Sequence, residues 1–114
     1  SVVKRILVKM GGDLAGKRIQ IAGIAYKAGV SDMRESPAVL LMEELKNLGA
    51  RLTWCDPLVK SFSDEISIPL DPIIDLGLIV TPHDQIDFSI WKKTGVKVLD
   101  LSANSTNYGW TKFL

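Results

Sequence analysis

Along "SVVKRILVKM" the apolar residues Val2, Val3, Ile6, Leu7 and Met10 fall on one face of a helix, with Lys4, Arg5 and Lys9 elsewhere. Gly11 and Gly12 break that pattern. "LAGKR" then leads into a strand from Arg18 to Ile24, nearly all apolar, whose Ile19, Ile21 and Ile24 suit a strand covered on both faces. Ser36-Pro37 predicts a helix start, because the hydroxyl can accept from an early amide and proline fits the first helical position. Ala38, Leu41, Leu45 and Leu48 continue as one stripe, with Glu43, Glu44 and Lys46 left to solvent. Gly49 supplies a left-handed stop.

"RLTWCDP" reads as a second strand, ended by Asp56-Pro57. So short a turn after a helix predicts a right-handed crossover and a parallel pair. From Lys60 to Leu76 the period is lost, and Pro69 and Pro72 limit any helix there to short pieces. "LGLIVTP" is a third buried strand and "VKVLDL" a fourth; between them "QIDFSIWKKTG" predicts a short helix with Ile86, Ile90 and Trp91 inward. The tail "SANSTNYGWTKFL" is polar with scattered aromatics and no period. Nearly all-apolar strands alternating with helices predict a single α/β domain, a three-layer, doubly wound parallel sheet. Its ligands would lie beyond the carboxyl ends of the strands. Four loops meet there: Tyr26 to Glu35, Cys55 to Leu58, Thr81 to Gln85, and Leu101 to Asn104.

Composition narrows the field without choosing within it. A chain of 114 residues, 46% hydrophobic and 24% charged, has the makings of one globular domain. A net charge of +1 gives no general electrostatic reason to bind nucleic acid or an anionic membrane. No apolar segment approaches bilayer length and no signal-peptide pattern opens the chain. One cysteine excludes an internal disulfide framework and is consistent with a cytoplasmic location. The opening helix has no initiator methionine and no cap ahead of it, so a piece of a longer protein is expected.

The candidate chemistry is sparse. The turn after the first strand is "GIAYKAG", not GxGxxG, and GxxxxGK[ST] is absent, so an NAD site contained wholly in this domain is not expected. His83 reads as a polar loop residue closing a strand, since a catalytic role would need a nucleophile or acid beside it. Cys55, inside a strand, reads as an inert core thiol. One Cys and one His make no zinc-ligand set, and no metal is expected. Asp56 and Asp100 each end a strand, where either an Asx turn or a contact to a ribose or metal would suit a carboxylate. Lys27, directly after the first strand, and Arg34, two residues before a helix start, could be solvated charges. They could equally meet a phosphate at the sheet edge.

"GIAYKAGVSDMRESPAVLLMEEL" resembles a segment of the UDP-glucose/GDP-mannose dehydrogenase family, with a pattern near G-x-[AS]-[FY]-K-x-x-[TV]-x-D-x-R-E-S-P. Gly23, Ala25, Tyr26, Lys27, Val30, Asp32, Arg34, Glu35, Ser36 and Pro37 match without a gap. The likeness continues through "LGARLTWCDPLV" and "LGLIVTPHDQI" and thins out after Asp100. The resemblance implies a Rossmann-like carboxyl-terminal domain, with residues 1–16 the end of a linker helix and its connection, and residues 17–114 binding the nucleotide of a UDP-sugar. The parent would be a homo-oligomeric, NAD-dependent nucleotide-sugar 6-dehydrogenase with separate NAD-binding and dimerisation domains. It would oxidise the C6 alcohol of the sugar to a carboxylate, a step in polysaccharide biosynthesis. Its catalytic cysteine lies in a segment absent here, so no catalytic residue is expected in this chain, and the fragment alone would be inactive.

On the same resemblance, Tyr26 and Lys27 match the pair that contacts the nucleotide sugar. Arg34 matches the arginine that reaches towards NAD, with Asp32 and Glu35 at positions that would orient these cations. "DLSAN" stands where many UDP-glucose members have "DGRN", so Leu101 and Ser102 replace a Gly-Arg pair. Val30, with tyrosine before the lysine, leans towards UDP-N-acetylhexosamine members, and the GDP-mannose branch stays open. The alternatives are a freestanding nucleotide-sugar-binding module and a structural module for subunit contact.

Overall fold

A computed structural model describes residues 2–102. The elements run α1 (Val2–Lys9), β1 (Arg18–Ala22), α2 (Pro37–Asn47), β2 (Arg51–Cys55), β3 (Ser61–Phe62), β4 (Glu65–Ile66), β5 (Leu76–Ile79), α3 (Ser89–Thr94) and β6 (Val98–Asp100). The main sheet has four strands in the order β2-β1-β5-β6, and every pairing in it is parallel. The period-2 alternation of the strands feeds two cores. Ile19, Ile21, Leu76, Leu78 and Leu99 meet Ile6 of α1 and Ala38, Leu41, Met42 and Leu45 of α2. Ala22, Ile79 and Val98 meet Trp91 of α3 with Ile86, Phe88 and Val96. The sheet is thus covered on both faces, as the sequence predicts.

β1 stops at Ala22 instead of running to Ile24. Gly23, at φ +79°, turns the chain so close to Thr81 that a Cβ there would lie 1.7 Å from the Thr81 carbonyl oxygen. Ile24 and Ala25 remain fully buried, but as loop rather than strand. β2 is a sheet edge, and its residues are half-exposed apart from buried Trp54, unlike the nearly all-apolar strand expected. On its outer side the Ile68 amide donates to the Trp54 carbonyl at 3.0 Å, and Ser67 Oγ accepts from the Asp56 amide at 2.7 Å. Residues 67–68 therefore line that edge.

The stretch without a period holds no helix at all. It forms the antiparallel β3–β4 hairpin, whose turn residues Ser63 and Asp64 sit at φ 52° and 62°. Positive φ at both central positions is the twist-matched hairpin turn, here without the Asn-Gly that usually announces it. Beyond the hairpin, fully buried Gln20 of β1 donates through its amide to the Pro69 carbonyl (3.1 Å) and accepts from the Asp71 amide (2.7 Å). That pair pins an irregular segment over the second core. The helix expected over 85–95 is confined to Ser89–Thr94 and stops at left-handed Gly95. Ile86 and Trp91 are buried as expected, Ile90 only partly, and Phe88, not anticipated, packs with its ring centroid 5.8 Å from that of Trp91.

Trp91 lies directly over Gly77 of β5, where an added Cβ would come within 2.6 Å of the indole ring. Gly77→Ala is expected to destabilise the domain by about 1–3 kcal/mol through overpacking, read as a lower urea midpoint with unchanged slope.

Candidate functional site

β1 is followed in the chain by β2 on one side and bordered by β5 on the other, so the carboxyl ends of β1 and β5 form the topological switch point of the sheet. The loop from Gly23 to Ser36 leaves β1 there and is fixed from beneath. Asp56, fully buried at the end of β2, accepts from the Ile24 and Ala25 amides through Oδ2 (2.8 and 3.1 Å). Its Oδ1 accepts from the Leu58 and Val59 amides (2.9 and 3.1 Å), an Asx turn of the kind expected. From the end of β5, Thr81 Oγ1 donates to the Ala25 carbonyl at 2.7 Å. Ser36 Oγ donates to the Ile24 carbonyl and accepts from the Ala38 amide at 3.1 Å, so it caps α2 and ties that helix to the loop.

Above this frame the loop opens a crevice of ≈ 270 Å³, lined by Tyr26, Lys27, Pro37, Thr81, Pro82 and Ser102 among others. Tyr26 is half-exposed, and Lys27 is exposed and makes no ion pair among the described residues. Pro37 brings the first turn of α2 to the same rim, where helix amides favour negative charge. Pro37, Val80 and Ser102 also border an apolar groove of ≈ 450 Å³ between α1 and α2. Of the four loops expected at this edge, Leu101 and Ser102 belong to the fourth, and residues 103–104 lie outside the described residues.

The five site residues of the sequence reading divide into two groups. Tyr26 and Lys27 line the crevice. Arg34 does not; its side chain is 89% exposed and forks onto Asp32, with Nη2–Oδ2 at 2.8 Å and Nε–Oδ1 at 3.1 Å. The Arg34 amide also donates to Asp32 Oδ1, at 2.8 Å. The Arg34 hydrogen bonds hold the Asp32 carboxyl down at about 2, from an ordinary 3.8. Glu35 is exposed at φ 58°, an uncommon conformation for a non-glycine residue, and forms no ion pair with either cation.

The other candidates do not line the crevice. Cys55 is half-buried, and burial, with the Asp56 charge second, pushes its thiol above the usual range. Asp100 closes β6 by accepting from the Ser102 amide and hydroxyl (2.8 and 2.6 Å). No metal-binding cluster occurs among the described residues. His83 departs from the expectation of an isolated polar residue. It is buried, with Nε2 3.0 Å from Asp56 Oδ2, so the missing acid is present, yet neither group reaches solvent. Sequence reasoning treated Asp56 and His83 one at a time and Thr81 only as a loop boundary; the fold brings the "DP" and "TPH" stretches together.

The family model described as the UDP-glucose/GDP-mannose dehydrogenase family, UDP binding domain, matches residues 20–103. A UDP-glucose 6-dehydrogenase of Rickettsia bellii is 31% identical over 81% of this chain, which spans 24% of that enzyme. A second, from Haloferax volcanii, is 44% identical over 40% of the chain and 11% of its own length. Among solved structures, a UDP-glucose dehydrogenase from Pyrobaculum islandicum superposes with a TM-score of 0.71 at 23% identity, over 96% of this chain and 27% of its own. A GDP-mannose dehydrogenase from Pseudomonas aeruginosa gives 0.66 at 22% identity, over 98% and 30%. Those two likenesses bear on the fold. The match over residues 20–103, with the curated relatives beside it, gives the conclusion: this chain belongs to the UDP-glucose/GDP-mannose dehydrogenase family and carries its UDP binding domain.

Proposed function

We propose that the crevice beside Tyr26 and Lys27 receives the nucleotide diphosphate of a UDP-sugar. The observation that supports this reading most is a lysine without an ion pair among the described residues, at the switch point of the sheet and beside the first turn of α2. A diphosphate there would meet the Lys27 ammonium and the positive end of the helix together, and the Tyr26 ring offers an apolar face to a base or sugar. In the whole protein, this domain would hold the substrate of an NAD-dependent 6-dehydrogenase that oxidises the sugar's C6 alcohol to a carboxylate. Val30 and the Leu101-Ser102 pair favour a UDP-N-acetylhexosamine over UDP-glucose.

NAD would accept hydride in such an enzyme. The turn after β1 lacks the glycine pattern of a dinucleotide site, so its binding falls to another domain. This chain's offer to it is Arg34. Asp32 grips one edge of the guanidinium through Nε and Nη2, and the group is otherwise exposed. That arrangement suits an arginine presented outwards across a cleft.

UDP is expected to raise the melting temperature of the protein, by an amount that grows with the logarithm of ligand concentration above the Kd. Lys27→Ala should weaken UDP binding roughly 10- to 100-fold, the range for losing a charged hydrogen bond. Equal shifts for wild type and variant would remove Lys27 from the site, and parallel titrations with GDP, UDP-glucose and UDP-N-acetylglucosamine would rank base and sugar. Arg34→Gln should return the Asp32 titration from about 2 towards 3.8, followed by carboxyl NMR shifts against pH. The sign follows from linkage: a lowered carboxylate keeps its ion pair above its ordinary range and loses it as pH falls through about 2.

A further inference from the structure

Lys27 is exposed and has no ion pair of its own among the described residues, so its place at the crevice depends on how its backbone is held. At one end the Tyr26 amide donates to the Asp32 carbonyl at 2.7 Å, closing the base of the loop. At the other end the local closure is weak, a Val30 amide 3.4 Å from the Lys27 carbonyl. The stronger contact comes from beneath, where the Gly29 amide donates to His83 Nδ1 at 2.9 Å. Because Nδ1 accepts, the ring is the neutral tautomer with its proton on Nε2, and that proton points at Asp56 Oδ2, 3.0 Å away. The same oxygen accepts from the Ile24 and Ala25 amides, the residues leading into Tyr26.

We propose that His83 and Asp56 are positioning residues that set the ligand-facing shape of the turn from Tyr26 to Val30. One carboxylate oxygen fixes the chain entering the turn, and through the imidazole it fixes the chain two residues past Lys27. Both groups are shielded from solvent, so they act on the ligand only through the loop. The imidazole is suited to this relay because it accepts at one nitrogen while donating at the other, in fixed directions across a rigid ring. Three separate strand ends meet in it: β1 through the loop, β2 through Asp56 and β5 through His83. This inference rests on the nucleotide reading above.

The test compares His83→Gln with His83→Asn. Glutamine can place an amide donor near the Nε2 position towards Asp56 and leaves Gly29 without an acceptor; asparagine can place an acceptor near the Nδ1 position. Gly29 amide exchange, read by NMR without ligand, is expected to quicken at least tenfold in His83→Gln and to recover most of its protection in His83→Asn. UDP affinity should fall about tenfold in the first variant and be largely restored in the second, at matched melting temperatures. Should His83→Gln fail to fold, an ester in place of the Gly29 amide deletes the same hydrogen bond from its donor side with His83 intact, and the same loss of affinity is expected. Unchanged Gly29 exchange in His83→Gln, or UDP affinity equal to wild type in either protein that lacks the Gly29–His83 hydrogen bond, overturns the positioning role alone. Absence of UDP binding by the wild-type protein overturns the nucleotide reading and this inference with it.

Discussion

A carboxylate enclosed by protein must find donors for its oxygens or carry a heavy desolvation cost. Asp56 meets that constraint with the Ile24, Ala25, Leu58 and Val59 amides and the His83 ring. Those donors come from three different strand ends, so satisfying one buried group gathers three of the four carboxyl ends of the sheet. Without it, the Ile24 and Ala25 amides, which have already left β1, would be buried and unpaired. The exposed crevice is therefore built on an interior that is polar and bonded where its loop departs. Gly23 completes the arrangement, since its lack of a Cβ lets the chain pass the Thr81 carbonyl on the way out.

The fold was legible wherever one signal sufficed. Strands β1, β5 and β6 are apolar runs, and α2 carries its own start at Ser36-Pro37 and its own stop at Gly49. What escaped depended on partners distant in the chain. The run from Ile19 to Ala25 is apolar but for Gln20, and nothing local says that pairing ends at Ala22; that is decided by Asp56 and Thr81. The β3–β4 turn hides because Ser63 and Asp64 adopt a conformation usually signalled by glycine. Strand β2 reads as buried since its apolar residues are the same types used by a central strand, yet its place in the sheet order leaves it outside.

For the candidate site, the residues lining the crevice were easier to name than those supporting them. Tyr26 and Lys27 fall together in sequence, and their position after a strand is enough to aim them at the sheet edge. Arg34 and Asp32 also fall together, and their mutual grip follows from a spacing of two residues. His83 shows the opposite situation. A lone histidine in a loop offers no hint of its acid, since Asp56 sits 27 residues away in the chain. Its two nitrogens become meaningful only when both neighbours are known.

A parallel sheet with open flanks invites other chains to extend it. Here one flank, β2, has its outer backbone engaged by Ser67 and Ile68, while the other, β6, is only three residues long among those described. The irregular excursion from β2 to β5 thus serves as a selvage. It leaves this small domain with little risk that its strands will recruit those of another chain into an aggregate.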